Sequence, residues 1–260
     1  MNEMNKSAAP LISVVMPAYN CEGTLGASVE SVLGQWAENW ELLILDDGSK
    51  DGTWPLMQRQ AERDGRIRVF QNQRNMGVGR TRNRGVGLAK GDWIAFLDSD
   101  DLWTPDKLEK QLVLLTAHPE TGLFYTGSGF IRADGTPMDF VLHVPETITR
   151  AQLLKQNLIS CSSVLARKTL LEKYPMPAGA ALHEDFAVWL RILAEETVAR
   201  GVDEPLLIYR RSAQSKSGNK WKAARMNWNT YRAVGLDPFR SAYYMAWYTV
   251  NGLRKYSKLK

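Results

Sequence analysis

The chain has 260 residues, 44% of them hydrophobic and 23% charged, a balance suited to one large folded domain or a core with an extension. Two cysteines, Cys21 and Cys161, supply neither a disulfide framework nor metal spacing, and no apolar run reaches the ~18 residues of a membrane span. The formal charge of +5 is uneven, with twelve Lys/Arg and one acid, Asp237, between Pro205 and Lys260, so the chain lacks the uniform basicity of a nucleic-acid binder.

The pattern along the chain predicts alternating strands and helices. Leu11–Met16 reads as a buried strand, too short for a signal peptide, so a cytoplasmic location is expected. Glu22–Trp36 reads as a helix, with Leu25, Val29, Val32 and Leu33 on its apolar side. Trp40–Leu45 is a second strand, and a helix starts near Gly52 and ends before Asp64-Gly65. A third strand, Ile67–Gln71, is followed by a helix over Val78–Ala89 and a fourth strand over Trp93–Leu97. Strands this continuously apolar belong to a parallel sheet covered on both faces. Thr104-Pro105 opens a further helix to about Ala117.

Beyond Glu120 the pattern predicts a mixed-sheet extension. Leu123–Ile131 and Cys161–Arg167 read as strands, Thr149–Asn157 and Glu184–Ala194 as helices. Val198–Arg210 is strand material broken by Asp203-Glu204-Pro205, and two helices, Lys220–Ala233 and Phe239–Tyr256, close the chain. The expected division is a core of residues 1–215 and a basic, aromatic-rich helical extension of residues 216–260.

Open parallel sheets bind ligands at the carboxyl ends of their strands. Four loops fall there: Pro17–Glu22, Asp46–Thr53, Gln73–Arg82 and Asp98–Asp101. Neither GxGxxG nor GxxxxGK[ST] is present. Instead the loops offer carboxylates, Tyr19, Arg80 and Arg82. Carboxylates clustered at Asp98, Asp100 and Asp101 suit a hard divalent cation shared with a diphosphate. Asp46 or Asp47 can accept a base N–H, Tyr19 can pack on a ring, and Arg82 can fork a phosphate. Taken alone, Asp46-Asp47-Gly48-Ser49 is equally a helix-capping turn.

These segments together resemble the family 2 inverting glycosyltransferases of the GT-A fold. The resemblance is carried by Val14-Val15-Met16-Pro17-Ala18-Tyr19-Asn20, Asp46-Asp47-Gly48-Ser49, Asn75-x-Gly77, Arg82-Asn83-x-Gly85 and Gly91-Asp92-x-Ile94-x-Phe96-Leu97-Asp98-x-Asp100-Asp101. It continues through His183-Glu184-Asp185 and Tyr209-Arg210, covering about residues 10–215. The C-terminal part resembles members from teichuronic-acid, capsule and O-antigen clusters.

The resemblance implies an α/β fold with a mixed, mostly parallel sheet and a sugar-nucleotide site. Pro17, Ala18 and Tyr19 would line the base pocket and Asp47 would bind the base. Arg82 would lie near the pyrophosphate, and Asp98 and Ser99 near the ribose. Asp100 would bind the metal, Mn²⁺ or Mg²⁺, and Glu184-Asp185 would supply the catalytic base, Asp185. Arg80 stands where relatives carry a small residue, and His183 receives no role.

Residue chemistry agrees with that assignment. Inverting transfer needs a carboxylate to take the acceptor proton, on the side away from a departing diphosphate. By itself, Asp185 reads equally as a charge at a helix N-terminus. Trp93 and Trp189 read as core residues, while Trp103, just past the acidic loop, is the best candidate to stack on a sugar. His118 and His143 read as surface or structural residues. Arg210, Arg211 and the Ser215–Lys220 segment read as a basic loop able to close over a diphosphate, or as a linker.

The expected function is transfer of a hexose or N-acetylhexosamine from a UDP-sugar to a hydroxyl of a lipid-linked or lipopolysaccharide glycan. The basic, aromatic tail reads either as a contact with the anionic cytoplasmic face of the inner membrane or as a solvated helical face. Three rivals are weaker, and retention of both Asp100 and Asp185 argues against one of them, a catalytically inactive membrane- or nucleic-acid-binding scaffold. A nucleotidyltransferase needs a Gly-rich basic loop where Pro17-Ala18-Tyr19-Asn20 stands, and a nucleic-acid binder leaves the acidic clusters unexplained.

Overall fold

A computed structural model describes residues 9–179, 181–211 and 220–257. Its first half contains strands β1 (Ile12–Ala18), β2 (Trp40–Asp46), β3 (Ile67–Gln71) and β4 (Trp93–Phe96), joined by helices α1 (Leu25–Leu33), α2 (Thr53–Arg63) and α3 (Val78–Leu88). The four strands are parallel in the order β3-β2-β1-β4, with Ala18 opposite Asp46 and Asp46 opposite Gln71. Every residue of β1, β2 and β4 is buried, as strands with helices on both faces require. Their carboxyl ends therefore emerge along one edge.

The second half contributes β5 (Leu102–Trp103), α4 (Lys107–Ala117), β6 (Leu123–Arg132), β7 (Pro137–Leu142), β8 (Thr147–Ile148), α5 (Arg150–Lys155), β9 (Leu165–Arg167), α6 (Lys168–Lys173), α7 (Glu184–Glu195) and β10 (Ala199–Arg211). β9 pairs antiparallel with both β4 and β6, and the sheet continues through β10 to β5. The Asp203-Glu204-Pro205 interruption proves to be a shift of register within β10, between Val202 and Leu207, so the strand stays in the sheet.

Several expected elements are shorter than their patterns, among them α1, expected over Glu22–Trp36, α5, expected over Thr149–Asn157, and the two that follow. Cys161–Ser163 is a 3-10 turn, because Ser163 donates both its N–H and its Oγ–H to Ser160 O and so competes with a ladder. Helix α4 begins at Lys107, since the carbonyls before it are engaged elsewhere, Thr104 O by Gln35 Nε2 at 2.7 Å and Pro105 O by Trp36 N–H at 2.9 Å.

Core packs on both faces of the sheet. Helix α3 sits close to β1 because Gly85 allows it, and a Cβ there would stand 2.4 Å from Val15 Cγ1. The last two helices, α8 (Lys220–Ala233) and α9 (Pro238–Ser257), join the core on the α3 side. Tyr231 is fully buried and donates its hydroxyl to Leu154 O at 2.7 Å. Phe186 of α7 meets Tyr231 and Tyr248 at ring separations of 6.1 and 6.3 Å.

A buried polar cluster locks the opposite edge of the sheet. Glu41 accepts from Ser13 Oγ at 2.7 Å, Lys90 N–H at 2.6 Å and Arg68 Nη1 at 2.7 Å, while Gly91 N–H bonds back to Ser13 Oγ at 2.9 Å. These bonds outweigh the burial of Glu41 and hold its carboxyl below the usual range.

Candidate active site

The acidic loop leaves the end of β4 and is shaped by its neighbours. Asp98 N–H donates to Ser162 Oγ at 3.1 Å. Arg210 clips the other end: its N–H bonds Asp101 Oδ1 at 2.9 Å, and its Nε bonds Asp100 O at 2.9 Å. Asp101 is thereby turned inward and buried, whereas Asp98, Ser99 and Asp100 stay partly open. Burial, then the charge of Asp98, pushes the Asp100 carboxyl up to about 6. Burial, then Asp98 and Asp100, lifts Asp101 well above the usual carboxylate range.

Arg82 reaches this loop from α3. Its Nη2 meets Asp98 Oδ1 at 2.5 Å, and its Nη1 lies 3.7 Å from Glu184 Oε1 on α7. The guanidinium is buried, which opposes its charge, yet Asp98 holds it above the usual arginine range. Arg82 thus belongs to the site, fastened to carboxylates on both sides.

Asp185 sits at the start of α7, where its Oδ1 accepts its neighbour Phe186 N–H at 2.7 Å. Burial, then the adjacent Glu184, raises its pKa, with Arg82 opposing. A carboxylate so raised is a better proton acceptor near neutral pH than a solvated aspartate. The preceding His183 donates its N–H to Thr230 Oγ1 at 3.0 Å, which ties the start of α7 to α8.

The remaining loops of the edge are bound to one another. Asn20, in the left-handed region at φ 48°, donates its N–H to Ser49 Oγ and accepts from Lys50 N–H at 2.8 Å. Asp46 is spent on Ser49 N–H and Gln71 Nε2. Asp47 accepts three bonds of 2.8 Å, from Asn72 Nδ2, Met76 N–H and Gly77 N–H. It holds the 72–77 loop in place, and an ionised carboxylate retains capacity for one more donor. Gly48, at φ +79°, lies against the Arg74 and Asn75 backbone, where a Cβ would be 3.0 Å away. Pro17 and Ala18 are buried beneath these loops, and Tyr19 stands 47% exposed above them.

The structure moves one candidate and adds another. Trp103 is 4% exposed, donates its indole N–H to Ser162 O at 2.7 Å and carries Lys107 Nζ 3.9 Å from its ring centre. An indole so enclosed props up the acidic loop from below and offers no platform to a sugar. Trp189 and Trp93 are core residues. Arg210 belongs to β10 and the acidic loop, and the basic segment 212–219 that follows Arg211 lies outside the described residues.

Tyr209 is the site residue to which sequence reasoning gave no role. Burial raises its pKa, followed by the charges of Asp101, Asp98, Asp100 and Asp185, so its hydroxyl lies within the field of all four. Its ring is held against Phe130 at 5.7 Å. The signal was present in its position just before Arg210.

Among the described residues no group of three or more His, Cys, Asp or Glu stands ready to hold a metal ion. Asp100 would serve as a partial site: it offers oxygen donors only, and its pKa is raised first by burial and then by the charge of Asp98, which a divalent cation would offset. Other ligands would come from a substrate diphosphate.

The glycosyl transferase family 2 model matches residues 13–174. The chain is 37% identical over 247 residues to the teichuronic acid biosynthesis glycosyltransferase TuaG of Bacillus subtilis, covering 95% of this chain and 97% of that one. It is 34% identical over 251 residues to WfgD of Escherichia coli, a UDP-Glc:α-D-GlcNAc-diphosphoundecaprenol β-1,3-glucosyltransferase, with 95% of each chain covered. Among solved structures, Staphylococcus aureus TarS 1–349 in complex with UDP-GlcNAc superposes with a TM-score of 0.71 at 17% identity, over 90% of this chain and 70% of that one. The mannosyltransferase PcManGT of Pyrobaculum calidifontis, in complex with GDP-Man and Mn²⁺, gives a TM-score of 0.67 at 17% identity, over 93% of this chain and 70% of that one. These two likenesses carry the fold, an α/β GT-A-like architecture. With its acidic loop, the buried Arg82 and the matched span from β1 to α6, the chain belongs to glycosyl transferase family 2.

Proposed function

We propose that the chain is an inverting glycosyltransferase that moves a hexose or N-acetylhexosamine from a UDP-sugar to a hydroxyl of a lipid-linked or lipopolysaccharide glycan. The observation that carries this is the span of Arg82. One buried guanidinium links the acidic loop at Asp98 to α7 at Glu184, the residue before Asp185. Donor-side charge and proton acceptor are thereby held in fixed relation, as a single displacement requires.

Pro17, Ala18 and Tyr19 flank the base, and Asp47 shapes its loop and offers its remaining lone pair to a base N–H. Asp98 and Ser99 face the ribose, and Arg82 counters charge on the diphosphate side. Asp185, its pKa raised, takes the acceptor proton as the new bond forms at the anomeric carbon. Glu184 keeps Arg82 and Asp185 in register. Asp100 would hold Mn²⁺ or Mg²⁺, which when bound supplies countercharge to the departing diphosphate.

WfgD and WfaP of Escherichia coli, 34% and 32% identical, are both named for UDP-Glc and a GlcNAc-diphosphoundecaprenol acceptor. They make that pair the first to test. A lipid-linked acceptor also places residues 1–215, the catalytic part, at the cytoplasmic face of the inner membrane, with residues 216–260 as the peripheral contact. No helix among the described residues is long and apolar enough to cross a membrane.

The test is binding of UDP-, GDP- and dTDP-sugars to the purified chain, first with Mn²⁺ and then with EDTA. Selective binding of one UDP-sugar that EDTA abolishes is the expected result. A folded chain that binds none of them overturns the reading.

A further inference from the structure

The outer face of α9 differs from that of a solvated helix. Phe239, Tyr243, Trp247 and Val250 follow one another along one side, and all are exposed, Phe239 at 88%. Ala242 and Ala246 lie among them, also exposed, and no acidic residue occurs from Pro238 to Ser257. The inner face is already satisfied. Ser241 is buried, and Tyr244, Met245 and Tyr248 pack on the core that holds Phe186 and Tyr231. Large apolar side chains gathered on the outer face of a packed helix mark a contact surface.

Charge identifies what that surface meets. Arg240 borders the stripe and pairs with Asp237 at 3.4 Å. Lys155 Nζ stands 5.3 Å from the Trp247 ring centre. At the turn between α8 and α9, Arg150 donates to Leu190 O and Val234 O, Arg191 to Ala233 O, and Arg232 to Leu236 O. Carbonyl partners orient these guanidiniums and leave their positive charge in place. A cavity of about 450 Å³ opens at the same turn, with Arg150, Arg240, Tyr243 and Tyr244 in its wall. Guanidiniums and phenols together suit a phosphate.

We propose that α9 lies flat on an anionic phospholipid bilayer. Phe239, Tyr243, Trp247 and Val250 enter the boundary between headgroups and acyl chains, and the cavity beside Arg240 receives a lipid phosphate. This deepens the function proposed above and rests on it for the lipid-linked acceptor. A second copy of the chain is a poorer occupant, because a symmetric contact would set two like-charged arginine clusters against each other.

The test is flotation of the full chain with vesicles of phosphatidylglycerol and phosphatidylcholine, and with phosphatidylcholine alone. Binding to the anionic vesicles is expected, roughly tenfold weaker to the neutral ones and weakened by salt. The double variant Phe239→Ser/Trp247→Ser should lose most of that binding, and Arg240→Glu should lose the preference for anionic lipid. Equal flotation of the parent and the double variant overturns the proposal, as does equal binding to both vesicle types or to neither. A dimer that the double variant dissolves also overturns it, assigning the face to a second copy. Nucleotide-sugar binding measured on the same proteins separates the two readings. Vesicle binding lost with donor binding intact supports the docking face. Vesicle binding kept by a parent that binds no nucleotide sugar leaves the docking face standing and removes the proposed function.

Discussion

The guanidinium of Arg82 meets the carboxylate of Asp98 at 2.5 Å, from a position where almost none of the arginine is exposed. Its other terminal nitrogen lies 3.7 Å from Glu184. A lysine at this position keeps the charge but cannot present a fork to both carboxylates. Arg82→Lys is expected to lose roughly 100-fold in kcat/KM, the scale of a misplaced reacting group. Steady-state kinetics with a fixed acceptor measure this, and a variant within a few-fold of the parent would remove Arg82 from the positioning role.

Asp185→Asn separates chemistry from binding. The amide oxygen of asparagine can still accept the Phe186 N–H, so the start of α7 should survive. Turnover should fall by roughly 10²–10⁴-fold, the range for loss of a general base. Donor affinity, read by calorimetry, should stay close to that of the parent. Unchanged kcat would assign the proton to another group.

Asp100→Asn should uncouple the donor from the metal. In the parent, Mn²⁺ is expected to tighten UDP-sugar binding and EDTA to reverse it. In the variant, binding should be weak and indifferent to both. A variant that responds to Mn²⁺ as the parent does would move the metal away from Asp100.

Tyr209→Phe removes a hydroxyl from the field of four carboxylates while leaving the ring on Phe130. Loss of a hydroxyl dipole from that field suggests a drop of roughly tenfold in kcat/KM, the scale of one polar contact to a charged group. Unfolding free energies of the two proteins from urea denaturation should agree within about 1 kcal/mol, because the packing is retained.

Glu41 governs acid stability away from the site. Its folded pKa is lowered relative to an unfolded value of ~4.3, so its contribution is complete above that pH and is lost as pH falls through the folded pKa. Glu41→Gln leaves Arg68 without its carboxylate and should cost about 2–3 kcal/mol at neutral pH. The gap between parent and variant should narrow as pH falls through the lowered folded pKa of Glu41 and close once Glu41 is protonated. Urea denaturation at several pH values checks both statements, and a gap that persists in acid would contradict the assignment.

The parallel half was legible almost strand by strand, because β1, β2 and β4 are mostly apolar runs, broken inside only by Ser13 and Glu41, that end in polar loops. Elements set by tertiary pairing were not. β5 is two residues long and exists because Leu102 and Trp103 pair with β10. In the site, carboxylates at strand ends announced themselves, and so did Arg82 as a basic residue beside them. Spacing could not show that Asp47 is already engaged by Asn72, Met76 and Gly77, since that depends on how the 72–77 loop folds back. Nor could it show which tryptophan faces inward, and Trp103 went to the core because Ser162 O and Lys107 enclose it.

The ring contacts of Phe186 with Tyr231 and Tyr248 join the residue next to Asp185 to the last two helices. Were α9 to rest on a bilayer as proposed, this joint would work as a rigid stand rather than a tether. It would set the height of Asp185 above the lipid surface. An acceptor fixed in that surface by its lipid end would then be selected by reach: a sugar too near the anchor or too far from it never arrives at the carboxylate. The protein would measure acceptor length with its own thickness.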